Sequence, residues 1–259
     1  MTTLKYPIIF CGAGPGDPDL ITVKGMRALA VADLVLYAGS LVPEAVLNWA
    51  PDGAQRVSSA GLDLDRIVAC MAEAHHKGLR VVRLHTGDPS LYGATGEQMA
   101  ALRERKIPYD VIPGVSAAFA AAAALGTEYT MPERTQTLIL TRVAGRTPVP
   151  ESENLAALAR HGASMAIYLS MAQIEEVAQV LSATYGPGAR CAVACRVSHP
   201  EEKIVFTRAD ELARTARDLG IDRLAVILVG PALEAPAALA SLKSKLYDKD
   251  FTHGYRPKG

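Results

Sequence analysis

A chain of 259 residues, 49% apolar and only 5% aromatic, is long enough for one large domain or two modest ones and too apolar for disorder. Its 27 Lys and Arg balance its 27 Asp and Glu, so no whole-molecule field draws a polyanion and the electrostatic footprint of a nucleic-acid partner is missing. An anionic substrate must instead be gripped by a local basic cluster. The first apolar run, Ile8–Cys11, is too short for a signal peptide, and no segment approaches the length of a membrane span. Cys11, Cys70, Cys191 and Cys195 sit in apolar stretches and read as buried thiols in a reducing cytoplasm. No second Cys or His pair completes a zinc pattern around Cys191 and Cys195.

Taken in order, the first half alternates strand and helix. Pro7–Cys11 predicts a strand and Thr22–Ala32 a helix, then Leu34–Ala38 a strand and a short helix from Pro43. Asp63–His76 carries Ile67, Met71 and Ala74 on one helical face, with Gly78 as its stop. Arg80–His85, Gly96–Arg105 and Tyr109–Ile112 continue the alternation, followed by the alanine-rich helix Ser116–Leu125. This interval argues for a parallel sheet with helices on both faces. The irregular stretch 126–133 marks a boundary, giving domains 1–128 and 129–259.

The second half predicts a strand over Thr135–Arg142, a Gly/Pro loop at 145–150, a helix near Asn154–Arg160, a strand Met165–Leu169 and a helix near Ile174–Thr184. Cys191–Ser198 and Lys203–Thr207 flank a connection too short for a crossover helix, so they should pair antiparallel. The helix Asp210–Leu219 and the strand Leu224–Val229 complete an α/β domain with a mixed sheet.

Gly12-Ala13-Gly14-Pro15-Gly16-Asp17-Pro18 stands where a dinucleotide fingerprint would follow the first strand. The third glycine of that fingerprint is replaced by Asp17, whose carboxylate repels a pyrophosphate, and Pro15 and Pro18 remove two amide donors. The second strand ends in Tyr37-Ala38-Gly39-Ser40 with no acid for a ribose diol, which counts against a nicotinamide oxidoreductase. No G-K-[ST] follows to make a phosphate loop. The glycines equally suit a plain tight turn, or a wall that meets something flat and uncharged. Thr86-Gly87-Asp88-Pro89-Ser90-Leu91-Tyr92-Gly93 and Ile112-Pro113-Gly114-Val115-Ser116-Ala117 end two further strands, at the edge where ligands bind in open α/β sheets. Asp88 could cap a turn, and Ser116 could cap the alanine helix.

Three loops of this content and order resemble the tetrapyrrole methylase family, which includes uroporphyrinogen, precorrin and diphthine methyltransferases. The resemblance implies a homodimer of two α/β domains, the first with a parallel and the second with a mixed sheet, with S-adenosylmethionine folded in the cleft between them. S-adenosylhomocysteine would be the product, and the protein would be a cytoplasmic enzyme with no membrane or nucleic-acid partner. Carried over by position, the cofactor contacts are Pro15, Gly87, Asp88, Leu91, Ser116, Ala117, Leu169, Met171 and Val197. Within the family, Tyr37–Glu44, Thr135–Thr137 with Leu140–Arg142, Gly145–Pro150 and Ser244–His253 resemble the branch that methylates a corrin precursor at ring carbon C11. The uroporphyrinogen branch has an acid where this chain has Ala38.

Methylation at C11 creates a quaternary carbon, so no proton need leave it, and alignment with exclusion of water is the main requirement. No essential nucleophile is expected, and Asp88 is the one catalytic candidate, to orient the cofactor or steer a proton. A polycarboxylate precorrin calls for arginine forks, for which Arg134, Arg142, Arg146 and Arg196 are candidates. Lys243, Lys245, Lys249, Arg256 and Lys258 offer further charge in the tail. No dedicated metal site is expected; cobalt would arrive in the macrocycle.

Overall fold

A computed structural model describes residues 6–234, 244–245 and 251–252. The lysines and arginine at 243, 249, 256 and 258, and most of 244–253, lie outside the described residues. Two compact units emerge, each built on a five-stranded sheet. The first takes the chain up to Ala120 together with Val197–Glu201, and the second takes Ala121–Arg196 and the chain from Glu202 onward.

In the first unit, β1 (Ile8–Gly12), α1 (Val23–Leu29), β2 (Leu34–Tyr37), α2 (Glu44–Leu47), β3 (Gln55–Ser58), α3 (Leu64–His76), β4 (Val81–His85), α4 (Thr95–Glu104) and β5 (Tyr109–Ile112) alternate in sequence. The sheet is wholly parallel in the order β3-β2-β4-β1-β5. Both faces are covered, because successive strand side chains point to opposite sides and both sets are apolar. Cys11, Val35, Val82 and Leu84 meet Leu29, Val46 and Leu47 from α1 and α2. Ile8, Phe10, Leu34 and Leu36 meet Ile67, Val68, Met71 and Leu102 from α3 and α4. Each such side chain contributes roughly 1.5–3 kcal/mol by leaving water.

The helix starts follow their caps. Thr22 Oγ1 accepts from the Gly25 N–H at 3.1 Å, and Asp63 Oδ1 accepts from the Arg66 N–H at 2.9 Å, so α1 and α3 begin one residue after the positions read from the sequence. β3 had no sequence signal. Gln55-Arg56-Val57-Ser58 is a largely exposed, polar edge strand without apolar alternation, a composition that also resists pairing with another chain.

The second unit holds most of α5 (Ala117–Leu125), then β6 (Leu138–Arg142), α6 (Leu155–Ala159), β7 (Ser164–Tyr168), α7 (Ile174–Tyr185), β8 (Arg190–Cys195), β9 (Lys203–Arg208), α8 (Leu212–Asp218) and β10 (Ala225–Val229). Its sheet is mixed, in the order β6-β7-β10-β8-β9, with β6 and β7 parallel and β10 antiparallel to both neighbours. β8 and β9 pair antiparallel, as their short connection requires. Met165, Ile167, Cys191, Val193, Ile227 and Val229 form one apolar face against Leu155, Leu181 and Leu212 of α6, α7 and α8.

Three sequence expectations change here. β6 starts at Leu138, because Met131 and Thr135 bridge across a turn in which Glu133 has φ +62°. β8 stops at Cys195, because Arg196 (φ +48°) and Ser198 (φ +64°) leave the extended region. Only Cys11 and Cys191 are fully buried, and burial pushes both thiols up to about 12. Cys70 and Cys195 are partly buried; Cys70 flanks the face of α3 that carries Val68, Met71 and Ala72 inward.

Candidate functional site

Parallel pairing brings the C-terminal ends of β4, β1 and β5, three neighbours in the sheet, to one edge. The three loops singled out in the sequence leave from these ends, and glycines lock them together. Gly14 and Gly87 pair by backbone, the Gly87 N–H donating to Gly14 O at 2.8 Å and the Gly14 N–H to Gly87 O at 3.3 Å, while the Ala13 N–H donates to His85 O at 2.7 Å. A Cβ on Gly12 would stand 2.6 Å from both Gly114 Cα and Gly87 O, and one on Gly114 would stand 2.1 Å from Gly87 O. No side chain fits at either position. The requirement at 12 and 114 is close backbone approach, whereas Gly14 (φ +79°) and Gly87 (φ +61°) also need left-handed backbone.

Asp88 completes the junction. Its Oδ2 accepts from the Gly114 N–H at 2.8 Å and its Oδ1 from the Ser90 N–H at 2.8 Å, with the Ser90 hydroxyl donating to the same oxygen. Burial pushes the carboxyl pKa up, but the bonds from Ser90 and Gly114 outweigh it and hold the group below its ordinary value. An ionised carboxylate with both oxygens engaged braces a loop; it is not poised to donate a proton.

The first loop is held from outside as well. Asp17 caps its own turn, Oδ1 accepting from the Asp19 N–H at 2.9 Å, and the Trp49 indole N–H donates to Pro18 O at 3.2 Å. The Asp17 N–H donates to Ser198 Oγ at 3.0 Å, and the His199 ring lies against Gly16. Pro15 and Gly16 are buried.

Beneath the second loop lies a buried polar row. Arg83, 4% exposed, donates from Nε to Gln98 Oε1 at 3.0 Å and from Nη1 to Leu36 O at 3.3 Å. Burial lowers its pKa to about 10. His85, 3% exposed, stacks on Phe10 with ring centroids 6.0 Å apart. Its Nε2 has no hydrogen-bond partner among the described residues. Burial first, then the Arg83 charge, lowers its pKa to about 3, so the ring is neutral. Thr95 Oγ1 donates to Pro89 O at 2.8 Å and ties the far end of the loop to α4.

In the second unit, β6, β7 and β8 all run the same way, so Arg142, Leu169 and Arg196 share one sheet edge. Leu169 is 67% exposed with φ +52°, an apolar side chain held in water on a backbone that disfavours it. Such strain is a mark of functional positions. The Ser170 hydroxyl beside it donates to Tyr168 O at 2.7 Å and accepts from the Val143 N–H at 2.8 Å.

Of the expected cofactor contacts, Pro15, Gly87, Asp88, Ser116 and Ala117 gather at the first edge. Leu91 is tied in by its N–H to Asp88 O at 3.2 Å. Met171 is built into the apolar core of the second unit, and Val197 is buried in the segment that packs with the first. Among the arginines, Arg142 and Arg196 share the second edge. Arg142 is spent there on the loop carbonyls of Val143, Thr147 and Pro148. Arg146 is exposed in that loop and makes no ion pair among the described residues. Arg134 does not join them. It precedes β6, near the opposite edge, and pairs with Glu234 beyond β10. The sequence reading passed over Ser198, His199, Arg83 and His85. A charged residue inside the otherwise apolar run Val81–Leu84 was a usable sign for Arg83; the contact of His199 with Gly16 had none.

Residues 7–213 match the family model of tetrapyrrole (corrin/porphyrin) methylases. The chain belongs to the tetrapyrrole methylase family. Family relatives include a Pseudomonas aeruginosa precorrin-4 C(11)-methyltransferase, 50% identical over 251 residues, covering 96% of this chain and 98% of the relative. A Priestia megaterium cobalt-precorrin-4 C(11)-methyltransferase is 45% identical over 246 residues, covering 95% of each. The X-ray structure of a cobalt precorrin-4 methyltransferase of cobalamin biosynthesis superposes with a TM-score of 0.86 at 43% identity, over 88% of this chain and 96% of that one. A uroporphyrin-III C-methyl transferase from Thermus thermophilus, complexed with S-adenosylhomocysteine, superposes with a TM-score of 0.73 at 26% identity, over 88% of this chain and 94% of that one.

Proposed function

We propose that this tetrapyrrole methylase uses S-adenosylmethionine to methylate C11 of precorrin-4, yielding precorrin-5 and S-adenosylhomocysteine in cobalamin biosynthesis. The observation that carries the reading is the near full-length identity of about half its residues to a C11-methyltransferase. The same reaction on cobalt-precorrin-4 is the second reading, supported by the 45% identity to cobalt-precorrin-4 enzymes.

The residues suit such a cofactor. The loops at 12–18, 86–93 and 113–117 present backbone and glycine, and Asp17 is turned to a cap, a surface suited to a ligand without phosphate. The cofactor supplies an electrophilic methyl on a sulfonium. Pro15, Gly87, Leu91, Ser116 and Ala117, with Leu169, Met171 and Val197, are the proposed contacts. Asp88 serves as a brace that holds the second loop against the third. Leu169 is well suited to an apolar contact, because its exposed side chain and left-handed backbone bring no benefit to the core. Arg146 and Arg196 are the proposed grips for substrate carboxylates, and Arg142 shapes the loop that carries Arg146. Holding carbon, methyl and sulfur in line is worth up to about 7–11 kcal/mol without any nucleophile from the protein. A homodimer is the proposed assembly, and the cytoplasm the proposed location.

The test incubates the protein with S-adenosylmethionine and either precorrin-4 or cobalt-precorrin-4 and locates the new methyl by NMR. A methyl at C11 in either substrate supports the reading, and the faster substrate decides between the two forms. A methyl elsewhere, or none, sinks it.

A further inference from the structure

We infer that Ser198 and His199, in the connection between β8 and β9, are positioning residues that hold the glycine loop in its working shape. This rests on the reading above that loop 12–18 belongs to the cofactor site.

Residues 197–201 pack with the first unit, although the strands on either side of them belong to the second. The chain reaches this place by two left-handed residues, Arg196 (φ +48°) and Ser198 (φ +64°), neither of them glycine. Left-handed backbone is unfavourable for an ordinary residue, so a retained pair marks a constrained segment. What the segment touches is specific. Ser198 Oγ accepts the Asp17 N–H at 3.0 Å, across 181 positions of sequence. The His199 ring lies so close over Gly16 that a Cβ there would stand 2.3 Å from Cδ2, 2.8 Å from Nε2 and 2.9 Å from Cγ. Gly16 has no left-handed backbone to explain its glycine; the imidazole explains it.

Asp17 also caps the turn that follows, and Gly14, two residues before Gly16, pairs with Gly87. A shift at residues 16 and 17 is therefore passed to the Gly87–Asp88 loop. The ring acts on the loop by its shape and the hydroxyl by a hydrogen bond.

Gly16→Ala evicts the ring and His199→Ala deletes it, so both variants make the same lesion from opposite sides. S-adenosylhomocysteine affinity by calorimetry should fall about five- to tenfold in each. The double variant should be no more than twofold weaker than the poorer single, because additivity fails for residues that act as one contact. His199→Phe, which keeps a flat ring, should stay within twofold of the unaltered protein. Urea midpoints measured in parallel separate a mere loss of stability, which leaves the affinity of the folded protein unchanged. Unchanged affinity in both singles overturns the inference, as does a double variant weakened by the product of the two, or a Phe variant as weak as Ala. Failure of the unaltered protein to bind S-adenosylhomocysteine overturns the cofactor reading itself, and this inference with it.

Discussion

Replacing Gly114 by Ala should damage both stability and binding, and the structure sets the scale. The new methyl would stand 2.1 Å from Gly87 O, 2.8 Å from Gly12 Cα and 3.1 Å from Gly12 C. All three are backbone atoms, so no side chain can swing aside. Ordinary contact begins near 3.4 Å, so one of the three loops must retreat by about 1.3 Å. Overpacking of this kind costs about 1–3 kcal/mol. The retreat also stretches the bond from the Gly114 N–H to the ionised Asp88, worth roughly 1.5–3 kcal/mol. Together that is about 2.5–6 kcal/mol, against a usual total stability of roughly 5–15 kcal/mol. Urea unfolding gives the first readout and S-adenosylhomocysteine calorimetry on the folded fraction the second. Gly53→Ala is the control, since a Cβ there meets nothing within 4 Å and should change stability by less than about 0.5 kcal/mol. A Gly114→Ala protein with an unaltered midpoint and unaltered affinity would refute the three-loop junction.

Leu169→Asn should stabilise the fold by about 1 kcal/mol of relieved left-handed strain, read as a higher urea midpoint, while weakening S-adenosylhomocysteine binding; a variant less stable than the unaltered protein contradicts the strain reading. His85 is held neutral with a folded pKa of about 3 against the ordinary 6.5, so the unfolded chain binds the extra proton between those values. Stability therefore falls as pH drops from about 6.5 towards 3, by at most about 1.4 kcal/mol per pH unit from this group. His85→Phe should flatten that fall in urea titrations run across the range, and parallel curves would reject the assignment. Asp88 works in the opposite protonation sense: its depressed pKa stabilises the fold above the ordinary carboxylate range, near pH 4, and that contribution is lost as pH falls through the depressed value. Asp88→Asn should be destabilised at pH 7 and converge with the unaltered protein at the acid end; a gap that persists there points to shape instead of charge.

What the sequence made legible follows from two-sided burial. β1, β2 and β4 carry apolar residues toward both faces, so their runs stand out, and α3 shows its spacing because one face meets Phe10 and Leu36 while the other is wet. β3 was hidden because an exposed polar edge has no burial to pattern it. At the site, each glycine loop was visible singly, yet the mutual contacts of Gly12, Gly87 and Gly114 are set by strand order, which places β1 between β4 and β5. The four candidate arginines could not be sorted by type or spacing. Strand direction sorts them, sending Arg134 to the edge opposite Arg142 and Arg196. His199 was the least legible, since the Gly16 backbone it lies against is 183 positions away in the chain and has no side chain to signal the contact.

The Asp17–Ser198 bond has a consequence for the order in which the molecule can be made. A ribosome adding about 5–20 residues per second delivers the strands and helices of the first unit well before the residues that complete its glycine-loop edge. For the roughly 9–36 seconds that 181 further residues require at that pace, the nascent first sheet carries Gly16 uncovered and the Asp17 amide unclaimed. The glycine loop can acquire these two contacts only after β8 has been synthesised, so this edge of the first unit is completed on the schedule of the second half of the chain.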